Sequence, residues 1–397
     1  MERVLIETER QDLFDVGIVI TVCVKLENTP PFEALEEAFQ KACSLHEVLS
    51  SRVLIEKDGG AYYTNGGGNN SIAQTSSGLK ELIYEQQKIR FRIEDGEFIR
   101  AFVSPDGIVF MMHHLAGDGK SLLYFIETFM NCLAGLPCGF TPFRNLTLKD
   151  LPKDSRLPFI YKILCWIWNS KWKKDKKIFD LTDLDKAYGS YWKENNTCVE
   201  IREYSAKETD LLIASAVKAG VSLTAYLVCD MLKDLKGKAD VGFAVNGRLD
   251  GNRSMGNQAT GISIEYGYDP KRSFDDNARK IYKLMQKRLS KNRYRFFVLQ
   301  FMTRLDPSLK DALNLERAGT FSSKTSSEIA AYLGYGDKVK DLSITNLTRA
   351  DIPSGYGSYK IERLSFIAPV VSYAKNVIGI VTMDGKMTVT RHYRLKA

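Results

Sequence analysis

The sequence predicts an α/β (α+β) protein in which mixed sheets are divided between two lobes. The chain has 397 residues, which exceeds the usual size of one domain, so two lobes are the expected organisation. Strand-like and helix-like segments alternate in both halves, which favours sheets covered by helices. We place a first lobe at residues 1–156, a connecting segment at 157–196 and a second lobe at 197–397.

In the first half, alternating apolar residues mark strands and apolar residues three or four apart mark helices. The first helix begins at Pro31, because proline is tolerated in a first turn and Glu33 suits the positive helix end. The expected strands cover 13–26, 52–57, 89–94, 97–104 and 108–113, and the next helix covers 121–133.

The second half repeats this alternation of strands and helices from about Thr197. If the halves are a degenerate repeat, only the first carries the histidine motif described next. The expected strands cover 198–204, 240–246, 259–266, 342–346, 359–367, 376–383 and 387–392, and the expected helices cover 207–219, 222–235, 273–290 and 294–305.

The most informative motif combines two of the four histidines with a carboxylate at the end of a predicted strand. Strand alternation directs His113 and His114 to opposite faces of the sheet. Gly117 and Gly119 mark a tight turn before the next helix. A purely structural interpretation is available, in which Asp118 caps that helix and the histidines are satisfied polar groups. The joint spacing H-H-x-x-x-D-G favours a functional site over that interpretation.

The motif at His113 to Gly119 resembles the signature of the chloramphenicol-acetyltransferase-like superfamily, which includes condensation domains, alcohol acetyltransferases and plant BAHD acyltransferases. The resemblance implies two lobes that form a V-shaped pseudo-dimer with the active site in the cleft. It covers nearly the whole chain, since further similar stretches lie at 32–40, 45–52, 241–248 and 342–347.

By this resemblance, His114 is the general base that takes a proton from an alcohol or amine as it attacks a thioester. The thioester is already activated, so we expect a ternary complex and no acyl-enzyme. The backbone N–H of Gly119 would help to stabilise the tetrahedral oxyanion, because it lies at the start of a helix.

The remaining motif residues are expected to support the site. The resemblance implies that Asp118 pairs with Arg248, at the end of a Gly-Arg strand, and holds the catalytic loop. His113 is assigned to the same structural support. Asn346 is a second candidate oxyanion donor, although a strand asparagine can equally bond its own backbone.

The sequence thus predicts a stand-alone acyltransferase that uses acyl-coenzyme A and a small alcohol or amine acceptor. Two alternatives stay open: an amide-forming condensation enzyme that uses an acyl carrier protein, and a non-catalytic interaction or lipid-surface protein of the same fold. No bound cofactor is expected, since the coenzyme A or phosphopantetheinyl thioester is a co-substrate. The plant-type Asp-Phe-Gly-Trp-Gly element is missing, and residues 256–258 resemble the glycine-asparagine element of condensation domains only loosely.

The composition limits the cellular location, the metal sites and the partners that can be expected for this chain. The seven cysteines are scattered without a C-x-x-C pair, so we expect reduced thiols, no metal site and a cytoplasmic location. The first ten residues lack the features of a signal peptide. The net charge of +8 comes from dispersed basic residues, so no nucleic-acid partner is expected. The basic run at 287–295 is a solvated helix face, or it attracts coenzyme A phosphates or an acidic carrier protein.

Residues 157–174, at the start of the connecting segment, hold three of the four tryptophans and are followed by Lys176 and Lys177. One interpretation is a helix that bridges the lobes and covers apolar surface with its rings. The alternative is peripheral membrane contact through 157–177, with the rings at headgroup level and the lysines over anionic lipid.

Overall fold

The computed structural model describes residues 3–335 and 339–395, which form three sheets and their covering helices. The strands are β1 Val4–Leu5, β2 Val19–Leu26, β3 Ser51–Ile55, β4 Ala61–Asn65, β5 Ser71–Gln74, β6 Ile99–Ser104, β7 Gly107–His113, β8 Thr197–Glu203, β9 Ala239–Asn246, β10 Ala259–Tyr266, β11 Leu342–Arg349, β12 Gly355–Tyr356, β13 Tyr359–Ile367, β14 Asn376–Met383 and β15 Lys386–Arg394. The helices are α1 Phe32–Ser44, α2 Leu79–Gln86, α3 Gly119–Leu133, α4 Phe159–Asp175, α5 Leu181–Glu194, α6 Ala206–Ala219, α7 Leu223–Leu232, α8 Phe274–Leu289, α9 Asn292–Arg295, α10 Phe297–Met302, α11 Pro307–Arg317 and α12 Lys324–Leu333.

The first large sheet has the strand order β12-β13-β2-β7-β6-β5. Strand β7 lies at its centre and pairs antiparallel with β2, where His113 is opposite Val19. Strand β5 is parallel to β6, so the sheet is mixed. Strands β12 and β13 come from the range predicted for the second lobe, and β13 pairs with β2. Residues 355–367 therefore belong to the sheet that carries the histidine motif.

The second large sheet has the order β10-β9-β11-β14-β15-β8, and all its strands follow residue 196. Strand β11 runs parallel to both of its neighbours, β9 and β14, while the other pairs are antiparallel. Helices α6, α7 and α8 contribute to a hydrophobic core on this sheet. A smaller sheet, β1-β4-β3, lies beside the first. The two mixed sheets with helices confirm the predicted fold class.

One strand predicted in the first half is wrong. Residues 89–94 form no strand, and Ile93–Asp95 is a single turn of 3₁₀ helix. The guanidinium of Arg90 donates to both carboxylate oxygens of Glu94, at 2.9 and 2.6 Å, and to Asp185 at 2.6 Å. These ion pairs stabilise a turn where alternation alone predicted an extended chain.

Other differences concern boundaries and short elements. The strand predicted from residue 13 begins at Val19, and a 3₁₀ turn, Arg10–Asp12, precedes it. The helix predicted at 294–305 is divided into α9 and α10 at Phe296. Strands β1, β4, β5 and β12 and helices α2, α5, α11 and α12 were not predicted.

No single helix in the described ranges is both long and apolar enough to cross a membrane. Helices α6 and α7 meet that test only when they are taken together, and they are bent by 91° where they join.

Candidate active site

The site begins where the central strand of the first sheet ends. All residues of β7 after Gly107 are buried, so the strand fixes the position of His113 at its last residue. A 3₁₀ turn, His114–Ala116, follows, and α3 then begins at Gly119. Gly117, between the two, pairs with Gly256 of the second half as an isolated parallel bridge. The motif therefore lies at a contact between the two halves of the chain.

His113 is a buried structural group. Its Nδ1 accepts a hydrogen bond from the Leu115 N–H at 3.2 Å, which caps the turn. Its ring packs edge-on against Phe91 with centroids 6.0 Å apart. Burial lowers the pKa of His113 to about 3, so the ring is neutral at physiological pH. Its position agrees with the supporting role expected of it.

His114 is the histidine of the pair whose side chain reaches the surface, with 18% of its area exposed. Its Nδ1 is buried, has no hydrogen-bond partner among the described residues and lies 3.9 Å from Asp12 Oδ2. Burial lowers the pKa of His114, while Asp118, its own backbone carbonyl and Asp15 act in the opposite direction. A ring with a lowered pKa is neutral near pH 7 and can accept a proton.

Asp118 combines two structural roles that the sequence suggested separately. Its Oδ1 accepts from the Ser121 N–H at 3.0 Å and caps α3. Its Oδ2 accepts from Arg248 Nη1 at 2.7 Å and from the Gln258 N–H at 3.1 Å. Burial raises the pKa of Asp118, but Arg248 and Ser121 outweigh burial and hold it below the usual range. The carboxylate is therefore ionised and joins α3 to the second half.

Arg248 is held through both terminal nitrogens of its guanidinium. Arg248 is buried and also donates from Nη2 to Ser121 Oγ at 2.8 Å. Ser121 Oγ in turn donates to the Gly256 carbonyl at 3.0 Å. Gly256 has φ +134°, and a Cβ there would lie 2.3 Å from the Arg144 carbonyl oxygen, so only glycine fits this contact.

The sequence did not indicate Asp12, which lies behind the His114 ring. Its Oδ2 accepts from Asn257 Nδ2 at 2.8 Å, and burial raises its pKa to about 7. Asp15, three residues later, is also buried and accepts from the N–H groups of Gly17 and Ser372. The sequence did carry a signal for Asp12 and Asp15, since both lie within an apolar segment. Buried carboxylates are rare without a dedicated partner, so two of them there indicate specific contacts.

Gly119 and Asn346 lie in different surroundings. Gly119 is buried at the first position of α3, where a Cβ would lie 3.0 Å from Leu347 Cδ2 and 3.2 Å from the Phe366 ring. Its backbone N–H belongs to the positive end of the helix. The Asn346 amide instead donates to Thr224 Oγ1 at 2.8 Å and accepts from the Thr348 N–H at 2.7 Å. These bonds favour the backbone-supporting interpretation of Asn346.

The structure thus brings together His114, Asp118 and Arg248 through a shared contact of the two halves. In the part of the chain that is described, no group of three or more His, Cys, Asp or Glu residues could hold a metal ion. The arrangement offers a neutral imidazole, a helix N-terminus and a buried ion pair.

No protein-family model matches this chain, and no curated protein matches it significantly. Solved structures do match. The first condensation domain of the calcium-dependent antibiotic synthetase has 14% sequence identity and a TM-score of 0.62, over 97% of this chain and 87% of that chain. The TRI3 trichothecene 15-O-acetyltransferase from Fusarium sporotrichioides has 13% identity and a TM-score of 0.61, over 99% and 92%.

A third similar structure is the epimerization domain from the third module of tyrocidine synthetase B. It has 15% identity and a TM-score of 0.58, over 96% of this chain and 86% of that chain. Matches that include both sheets, at identities this low, establish a shared fold. The chain therefore shares the fold of these condensation, epimerization and acetyltransferase structures, which is the fold that the resemblance at His113 to Gly119 implied.

Proposed function

We propose that this protein transfers an acyl group from a thioester to an alcohol or amine, with His114 as the general base. The observation that carries this proposal is the His114 ring, which is neutral, partly exposed and next to the N-terminus of α3. The fold shared with an acetyltransferase and with condensation domains supports the same reaction class.

In the proposed step, His114 Nε2 takes the proton from the acceptor O–H or N–H while that atom attacks the thioester carbonyl. The new C–O or C–N bond forms and the carbonyl oxygen becomes an oxyanion. The Gly119 N–H and the positive end of α3 stabilise that charge. Collapse of the intermediate breaks the C–S bond, and the leaving thiolate takes the proton back from His114.

Asp12 is the positioning residue for this base. A proton on Nδ1 leaves the Nε2 lone pair free for the acceptor, and a carboxylate beside Nδ1 favours that tautomer. Asp12 Oδ2 lies 3.9 Å from Nδ1 and is itself held by Asn257. The carboxylate would also stabilise the imidazolium that forms during attack.

The proposed donor is acyl-coenzyme A, and the fold shared with an acetyltransferase supports this choice. A carrier-protein donor with amide formation is the second candidate, and it rests on the likeness to condensation domains. The same base serves both reactions, so the acceptor and donor must be identified by assay.

The test measures free-thiol release from short, medium and long acyl-coenzyme A donors with pooled alcohols and amines. The wild type is compared with His114→Ala, whose fold is checked by circular dichroism. Release that requires both an acceptor and His114 supports the proposal. Release only from an acyl-phosphopantetheinyl carrier supports the second candidate. Release from neither donor class, or equal release by the variant, contradicts the assignment of His114 as base.

A further inference from the structure

Helix α4 presents an exposed apolar surface that the proposed reaction does not use. We define its outer face as Phe159, Ile160, Ile163, Trp166 and Ile167, which recur at helical spacing. We propose that this outer face docks the protein on the surface of an anionic lipid bilayer. The proposal is independent of the acyl-transfer reaction, because these residues are exposed on α4 and none of them belongs to the candidate active site described above.

The opposite side of α4 is accounted for by packing within the molecule. Trp172 is fully buried and donates from Nε1 to Ser308 Oγ at 2.9 Å. Trp168 packs edge-on against Phe301 of α10 and Tyr332 of α12. This side explains how the helix bridges neighbouring elements. It gives no reason for large apolar residues on the other side.

The outer face is exposed to an unusual degree. Phe159 is 75% exposed, Ile160 71% and Trp166 69%, and Ile163 and Ile167 are also exposed. Scattered exposed apolar residues are normal, but a continuous patch of large ones marks an interaction surface. These five residues therefore form one exposed apolar surface on α4.

The charges around the outer face are cationic. The sequence from 158 to 174 contains no aspartate or glutamate. Lys171 pairs with Glu328 at 2.8 Å, but Lys162, Lys173 and Lys174 are exposed and have no acidic partner among the described residues. Free ammonium groups beside an apolar ridge match the phosphates of anionic lipid headgroups.

A bilayer fits this surface better than a protein partner does. Protein interfaces carry roughly one hydrogen bond per 100–200 Å², so they need polar groups within the patch. The outer face offers only the Trp166 indole N–H within its apolar ridge. Indole rings favour the headgroup level, where the ring is in an apolar layer and the N–H is in water. From Phe159 to Ile167 the ridge extends about 12 Å, which suits a helix lying in the interface plane.

The tryptophans provide a specific probe of docking. Trp166 is 69% exposed, whereas Trp168, Trp172 and Trp192 are at most 9% exposed. A change in tryptophan emission on adding vesicles will therefore report mainly on Trp166. We expect a blue shift with vesicles of phosphatidylcholine and phosphatidylglycerol, and a smaller shift or none with phosphatidylcholine alone. Trp166→Phe should remove the shift and keep most of the binding.

Vesicle flotation with the full chain then tests the surface itself. The variant Phe159→Ser with Trp166→Ser should lower the vesicle partition coefficient at least about tenfold, because two large apolar side chains are lost. Lys173→Gln and Lys174→Gln should each lower binding to anionic vesicles about fivefold. Val217→Ser is the matched control, since Val217 is a 70% exposed apolar residue on α6. His114→Ala should bind vesicles like the wild type.

Three outcomes would overturn the proposal. The first is a wild-type protein that floats with neither vesicle type. The second is an outer-face variant that binds vesicles as well as the wild type, or no worse than Val217→Ser. The third is self-association of the wild type that the outer-face variant abolishes while vesicle binding is absent, which would make the face a protein interface. Failure of the thiol-release assay would leave the vesicle result unaffected.

Discussion

The two large sheets contribute different kinds of group to the candidate active site. The first sheet leads into His114 and the start of α3, which in the proposed reaction would handle a proton and a developing negative charge. The second half supplies Arg248 and the segment around Gly256, which are held in ion pairs and backbone contacts. This difference implies that chemistry and assembly can be separated by mutation. Changes in the first region should affect rate, and changes in the second should affect stability as well.

The largest expected effect is on rate. His114→Ala should lower turnover by about 10²- to 10⁴-fold, because positioned general bases contribute that much. The free energy of unfolding should change by less than about 1 kcal/mol, since the side chain is partly exposed. Steady-state kinetics and urea unfolding would measure the two quantities. If His114→Ala lost as much unfolding free energy as Arg248→Met, described next, the proposed difference between the two regions would be wrong.

The next effect is on stability. Arg248→Met leaves the buried Asp118 carboxylate without its partner and should cost about 3–5 kcal/mol of unfolding free energy. The double variant with Asp118→Asn should lose less than the two single variants combined, because both act on one pair. Urea denaturation of the four proteins measures this coupling, and additive losses would contradict it.

The same pair has a defined pH dependence. The pKa of Asp118 in the folded protein lies below its ordinary value, so the pair contributes stability at neutral pH that is lost as pH falls through that lowered pKa. Arg248→Met should show less of this loss than the wild type when unfolding is compared between pH 6 and pH 3.

A smaller rate effect tests the link between the regions. Asp12→Asn should lower turnover about 10- to 100-fold, as expected for a group that orients a functional histidine. Burial raises the pKa of Asp12 to about 7, so the wild-type rate should rise with pH up to about pH 7 as this carboxyl ionises. In the variant only His114 titrates, and its pKa is lowered, so the acid limb should move to lower pH. An unchanged pH profile would exclude this positioning role.

The smallest effect concerns Asn346. Its amide is bound to Thr224 and to the Thr348 N–H, so Asn346→Ala should change kcat/KM by less than about threefold and destabilise the protein by about 1 kcal/mol. Steady-state kinetics with the donor that gives the highest rate would measure the change in kcat/KM. A loss of about 100-fold would restore Asn346 as an oxyanion donor.

Much of the candidate site could be predicted because its signals are local in the sequence. The strand ending at His113, the turn and the helix start at Gly119 follow from apolar spacing and from glycines. Asp118 as a helix cap follows from its position before the helix. The contact between Asp118 and Arg248 was expected only from the family resemblance, since no local pattern relates residues 130 positions apart.

The residues that were not predicted depend on long-range contacts. Asp12 and Asn257 are 245 positions apart and meet only when the two halves assemble. The helices that were not predicted are a different case, because the sequence does contain local signals for them. Helix α5 begins with a capping box formed by Asp180 and Asp183, and α11 begins with proline after Asp306. The capping residues of these helices are clear in the sequence, whereas their apolar residues recur at less regular intervals.

The pairing of β13 with β2 has a consequence for how the protein is made. Strand β2 emerges from the ribosome well before the residues that cover its edge, 361–367, are translated. During synthesis β2 presents an open strand edge, the kind of surface that promotes wrong pairing between chains. The half that carries His114 can complete its sheet only after residues 361–367 have been made, and until then this edge of β2 stays uncovered in the nascent chain.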